Sequence, residues 1–160
     1  MDAAFVELWK LKVPSKFTVF AWRLLRDRLP TRRNLQSRQI VINDGRCPFC
    51  NLEDEDAGHL FFHCRKIIPM WWEVLSWEKL VGAFPQNPKQ HFLQHMNGLV
   101  DGIRVKRWRC WWLALTWSIW HHRNKIIFSN EAFTGNKVMD DASFLYWTWL
   151  RSFEKDFDKL

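Results

Sequence analysis

Residues able to hold a metal crowd into one short stretch of this sequence. Cys47-Pro48-Phe49-Cys50 is followed by an acidic loop, Glu53-Asp54-Glu55-Asp56, and then by His59-Leu60-Phe61-Phe62-His63-Cys64. Two thiols separated by two residues reach one ion from a tight turn, and a His and a Cys downstream complete a tetrahedron. The pattern Cys-x2-Cys-x8-His-x4-Cys therefore predicts zinc held by Cys47, Cys50, His59 and Cys64. His63 competes for the nitrogen position. His59 is preferred because neighbours in sequence, as His63 and Cys64 are, rarely aim both side chains at one ion. The competing reading is a set of reduced, buried cysteines beside a solvated histidine; three of the chain's 4 cysteines falling in this one segment argues against it.

The acids of the loop stand where a helix carrying His59 would begin, and negative charge is favourable there. Glu55 lies four residues before His59, so on a helical turn its carboxylate would accept the free imidazole N–H. The alternative is that all four acids are simply solvated. A second constellation, Val138-Met139-Asp140-Asp141, resembles the paired carboxylates that hold metal ions in a polymerase palm. It precedes a strongly helical run with no strands beside it, and reads as acids in the first turn of a helix. Zinc with four protein ligands lacks the open position that catalysis needs. With no glycine-rich phosphate loop and no recognisable nucleophile and base, the chain is expected not to be an enzyme.

The elements that must position these residues read as helices. Phe5, Leu8 and Trp9 share one face of a short stretch over 2–12, which Pro14 stops. Ser15 is placed to cap a helix from Lys16 to about Arg28, with Phe17, Phe20, Ala21 and Leu24 inward and Pro30 beyond it. Thr31 caps a short helix holding Leu35 and Arg38, and Asn43-Asp44-Gly45 turns the chain into the metal segment. A helix over 67–81 would point Trp71, Trp72, Leu75 and Leu80 inward. Gly82 to Pro88 is the best linker, a polar helix follows around Lys89–Leu99, and the chain breaks at Gly98 to Gly102. The central helix is predicted over 104–128, with stripes at Trp108, Trp112, Leu115, Ile119 and Ile126 and at Leu113, Trp117, Trp120 and Ile127. A last helix, about Val138 to Phe157, carries Phe144, Leu145, Trp147, Trp149, Leu150 and Phe153. The expected fold class is all-α: a mainly helical chain with a small zinc-knuckle-like segment between helices. Its expected divisions are 1–81, a linker with a short helix over 82–102, and a Trp-rich helical hairpin over 103–160.

A chain of 160 residues suffices for one domain with a true core, and 12 Trp and 13 Phe supply the means to build one. The longest apolar run, Cys110 to Trp120, is interrupted by Thr116 and Ser118 and falls short of the roughly 18 to 20 residues a bilayer requires, so no membrane association is expected. The N-terminus lacks secretory features, and the thiols are expected to stay reduced, in cytosol or nucleus. Net charge is +7. That suits a polyanionic partner and equally a solvated surface. Arginines crowd the interval from Arg23 to Arg46, and Arg104, Lys106, Arg107 and Arg109 form a second cluster. Arg32, Arg33 and Arg46 flank the metal segment outside the apolar stripes and are the expected contacts to nucleic acid, whereas Arg23, next to Trp22 in a packed helix, reads as structural. Cys110, inside the apolar run, reads as a small buried hydrophobe rather than a ligand.

Several motifs together carry a family resemblance. Trp9, Pro14-Ser15-Lys16, Phe20-Ala21-Trp22-Arg23, Leu29-Pro30-Thr31, Asn34-Leu35, Arg38, the Cys47 and Cys50 pair, Glu55 and His59-Leu60-Phe61-Phe62-His63-Cys64 resemble the plant reverse-transcriptase zinc-binding domain, over roughly residues 5 to 77. Trp117-Ser118-Ile119-Trp120-His121-His122-Arg123-Asn124, with Ile127-Phe128, is similar to the segment that follows it. The resemblance implies a fragment of a non-LTR retrotransposon polyprotein, in which a zinc module holds RNA or single-stranded DNA beside the polymerase. The other expectation is a structural zinc domain that meets a protein partner through exposed Trp-rich surface, or a relic without selected activity.

Overall fold

The computed structural model describes residues 2–95 and 101–157. Seven α-helices and one π-helical turn appear among them: α1 Ala3–Trp9, α2 Ser15–Leu25, α3 Arg32–Ser37, the π turn His59–His63, α4 Ile68–Trp77, α5 Pro88–Phe92, α6 Gly102–Ser129 and α7 Gly135–Phe157. The described chain is mostly helical, as the apolar spacing predicts. Its extended pairing is a single antiparallel bridge between Arg46 and Asp54, which closes the loop bearing the first two cysteines.

Side-chain chemistry sets most helix starts. Asp2 accepts from the Ala4 amide, Thr31 from Asn34, Asn87 from Lys89 and Gln90, and Asp101 from Arg104, each meeting N–H groups that a helix leaves without a partner. Ser15 departs from expectation. It is the first residue of α2 rather than its cap, and Pro14 stands before it without a side-chain cap bond. Asp140 and Asp141 also differ: α7 begins at Gly135, so the pair sits in its second turn, exposed, with no acid in the first.

The core follows from the stripes. Phe17, Phe20, Ala21 and Leu24 of α2 are buried, and so are Trp108, Trp112, Leu115 and Ile119 of α6. Helix α6 packs on α7, α2, α4 and the π turn, so it is the hub around which the other elements collect. Four of the buried indoles find a partner for their N–H: Trp71 donates to the Phe61 carbonyl, Trp108 to the Phe92 carbonyl, Trp112 to His91 Nδ1 and Trp111 to Glu78 Oε1. The buried apolar residues form one cluster from Ala4 to Leu150 that runs through the metal segment.

Helix α4 ends at Trp77, and Val81 is exposed. Trp72 is 59% exposed, contrary to the inward expectation. At about 100° per residue α4 can present Met70, Trp71, Val74 and Leu75 to the core, and Trp72 falls off that arc. The extension of the 89–99 helix past His95, the break before Asp101 and the side chain of Phe153 lie outside the described residues. No helix among the described residues is long and apolar enough to cross a membrane.

Candidate metal centre

The metal segment is two turns facing each other. In the first, the Asn51 amide returns to the Cys47 carbonyl at 2.8 Å, Asn51 adopts φ 57°, and the Cys47 amide donates to the Glu53 carbonyl at 2.7 Å. This tight reversal lets Cys47 and Cys50 point the same way. The second turn is the π helix. In an α-helix a residue five positions on is rotated by about 140°, which would swing Cys64 away from His59. Here the Cys64 amide donates to the His59 carbonyl at 2.7 Å, an i to i+5 closure that keeps the two ligands together. Asp56 starts the turn by accepting from the His59 amide at 2.7 Å.

The ligand atoms of Cys47, Cys50, His59 and Cys64 all lie within 4.8 Å of one another. The sulfurs of Cys47 and Cys64 are 3.9 Å apart, and Cys50 Sγ is 3.4 Å from His59 Nε2. Tetrahedral zinc with Zn–S near 2.3 Å and Zn–N near 2.0 Å requires separations of about 3.8 and 3.5 Å. The donor set, three thiols and one imidazole, suits zinc in chemistry as well as in spacing. Cys47 and Cys64 are fully buried and Cys50 nearly so, which makes this an enclosed, structural type of site. His63 is not in the group; its Nε2 is buried without a hydrogen-bond partner. Cys110 lies apart in α6, fully buried, and burial pushes its thiol up to about 12.

Without metal the four donors share protons among themselves. The Cys47 thiol, donating to Cys64 and desolvated, is held above its ordinary pKa, while Cys64, which receives that bond, is held below. Burial pulls Cys50 up, but the Glu53 and Leu52 amides and the His59 ring outweigh it and leave it lowered. Hydrogen bonding to the Cys47 thiol first, and to Cys50 after it, outweighs burial and raises His59 to about 9. Bound zinc takes the place of these shared protons, since it is held by thiolates and a neutral imidazole.

Glu55 does something the sequence did not suggest. It neither reaches His59 nor faces solvent: it is fully buried and grips Arg123 of α6. Arg123 Nη2 donates to Oε1 at 2.7 Å and Nε to Oε2 at 2.9 Å, a bidentate fork, while the Arg32 amide donates to Oε1 at 2.7 Å. The guanidinium also stacks on Trp120, with Cζ 4.5 Å from the ring centroid. The zinc loop is thus bolted to the central helix one residue beyond its bridge and four before His59. The available signal was an arginine four residues after Ile119, in line with the apolar stripe.

The expected nucleic-acid arginines divide. Arg46 is held by Asp44 at 3.0 and 3.2 Å, and that contact holds the Asp44 carboxyl near 2. Arg32 spends its guanidinium on the Arg46 carbonyl at 2.7 Å and lies 4.0 Å from Asp44. Arg33 is exposed, with no ion pair among the described residues. Arg23, read as structural from its neighbour, is exposed as well. In the second cluster Arg109 is buried against Glu7 at 2.7 Å, and Arg104 donates to the Glu78 and Lys79 carbonyls that end α4.

Residues 2–71 match the model of a family described as zinc-binding in reverse transcriptase. All four donors fall inside the match, and α5, α6 and α7, including Arg123, fall outside it. No curated protein and no solved structure matches the chain.

Proposed function

We propose that a chain carrying a reverse-transcriptase-type zinc-binding segment over 2–71 is a non-catalytic module that binds single-stranded RNA or DNA, with zinc shaping the surface rather than reacting. A retrotransposon origin and a plant source belong to the same reading. The observation that carries it is a groove of about 490 Å³ between α3, the 42–44 turn and the end of α6. Arg23 and Arg32 stand in its wall with Asn43 and Asn124, and Phe128, 77% exposed, offers an aromatic face. Cations for phosphate beside an aromatic ring for a base are the elements of single-strand binding. The closed set of four donors supports the absence of catalysis.

The test is binding of a labelled single-stranded oligonucleotide across a salt series. Each phosphate neutralised contributes about 0.7 to the slope of log K against log salt, so Arg23→Ala and Arg33→Ala should each flatten it by about that amount. Arg46→Ala should flatten it less, because Asp44 already holds that guanidinium. Zinc content should stay constant throughout. Wild-type protein with no salt-dependent binding would leave the structural, protein-contacting reading in its place, which the half-exposed Trp9, Trp72, Trp77 and Trp147 favour.

A further inference from the structure

Helix α7 carries two distinct stripes. Its buried residues Val138, Ala142, Tyr146, Trp149 and Leu150 fall within an arc of about 120° at 100° per residue, and they belong to the core that α7 shares with α6. A second stripe, Asp140, Phe144, Trp147 and Arg151, spans only about 60° and is centred about 150° round the helix from the first. All four of its residues are exposed, Phe144 at 71% and Trp147 at 57%. Neither Asp140 nor Arg151 has an ion-pair partner among the described residues. Trp77 of α4, 53% exposed, lines a cavity of about 630 Å³ together with Trp147 and extends the apolar surface beyond α7.

Steps of four, three and four residues make the seam with which one helix packs along another. Aromatic rings at two adjacent positions of such a seam are costly to leave in water, and folding does not require it, since Trp149 and Leu150 close by are taken into the core. The order of the stripe selects its occupant. It reads acid, aromatic, aromatic, base, which is complementary to itself when reversed. A two-fold axis passing between positions 145 and 146 sets Phe144 against Trp147 of a second copy and Asp140 against that copy's Arg151, and repeats both contacts by symmetry. Parallel helices would instead bring Asp140 onto Asp140 and Arg151 onto Arg151, so the charges admit the antiparallel arrangement and oppose the other.

We propose that the outer face of α7 is a self-association surface, on which two copies of this chain pair antiparallel through Asp140, Phe144, Trp147 and Arg151. The stripe covers about 16 Å of each helix. That is small for a specific interface, so the dimer forms in the micromolar range and exchanges with monomer. It is independent of the single-strand reading and uses none of the arginines of the 490 Å³ groove.

The test is sedimentation equilibrium of the full, zinc-loaded chain, free of nucleic acid, at rising concentration. Wild type should pass from 19.5 kDa to twice that mass through the micromolar range. Asp140→Arg and Arg151→Asp should each raise the dissociation constant by about tenfold, because symmetry makes each reversal count twice. The double variant Asp140→Arg, Arg151→Asp restores opposite charges across the axis and should return close to wild type. Phe144→Ser and Trp147→Ser should leave monomer throughout. All four positions are exposed, so zinc content and near-ultraviolet circular dichroism should be unchanged in every variant. A wild-type chain that stays monomeric overturns the proposal and leaves this face to a different partner. Dimers that ignore the single reversals, or a double variant that remains as weak as either single one, would place the contact elsewhere and overturn it as well.

Discussion

Arg123 and Glu55 show how much one contact can carry. A carboxylate with no exposure and a guanidinium 3% exposed are tolerable only because each satisfies the other: the fork, the Arg32 amide and the Trp120 face replace the water both have lost. Removing one partner strands a buried charge, which costs about 3–5 kcal/mol, whereas neutralising both costs far less. Arg123→Leu should therefore lower unfolding stability in urea by about that amount. The double variant Arg123→Leu, Glu55→Gln should recover much of it, since Gln keeps an acceptor for the Arg32 amide. Additive losses in the two single variants would mean the pair is not coupled.

Among the elements, α5 is the shortest α-helix and packs its buried His91 against five aromatic rings. The ring stacks on Phe62 at 4.1 Å, sits 4.6 Å from Trp71 and 5.6 Å from Trp108, neighbours Phe84, and accepts from Trp112 Nε1 through Nδ1 at 3.0 Å. Burial first, then the nearby His63 and His95, lowers its pKa to about 3. Below the ordinary histidine value, near 6.5, the unfolded chain takes up a proton that the folded chain refuses, so stability falls as pH drops from about 6.5 towards 3. The decline attributable to this one group approaches about 1.4 kcal/mol per pH unit. His91→Gln retains an acceptor for Trp112 and removes the titration, so its urea midpoint should fall less steeply on acidification than that of wild type. Parallel pH profiles would assign the acid sensitivity elsewhere. The same element scale explains one close approach: a Cβ on Gly58, just before the π turn, would stand 2.9 Å from the Gln86 carbonyl oxygen, so the loop leading into α5 can lie there only against glycine.

At the scale of the whole molecule, the zinc loop is a wedge in the core rather than an appendage. Phe61 and Phe62, inside the π turn, lie against Trp120 and Trp112 of α6, and Phe49 between the first two cysteines lies against His122 and Phe133. Zinc at sites of this kind contributes roughly 10–16 kcal/mol in small peptides, more than a domain of this size has to spare. Metal-free protein, made by chelation or by Cys47→Ser, should lose the packed environment of Trp112 and Trp120, seen as collapse of the near-ultraviolet circular dichroism. Helix α6 against α7 should keep much of the far-ultraviolet signal, because their contact is the most extensive between any two described elements. His63→Ala should behave as wild type and retain zinc, and His59→Ala should behave as Cys47→Ser. Zinc retained in His59→Ala and lost in His63→Ala would reverse the ligand assignment.

What the amino-acid order determined by itself is local and periodic. Cysteine spacing within one turn, Thr31 before its helix, and the three- and four-residue stripes of α2 and α6 are set by covalent distance and by 3.6 residues per turn, and no distant partner is needed to read them. The zinc donors were legible for the same reason. Only the tertiary structure decided which charges face water. Glu53 and Glu55 are alike on paper, yet one is exposed and the other buried, because a guanidinium 68 positions away arrives at one of them. The same holds for Arg109 and Arg104, spent on Glu7 and on the end of α4, and for Trp72, Trp77 and Trp147, left in solvent although their neighbours are core. Burial of a charge or an indole depends on what the rest of the chain brings against it, and that is a property of packing between elements rather than of sequence within one.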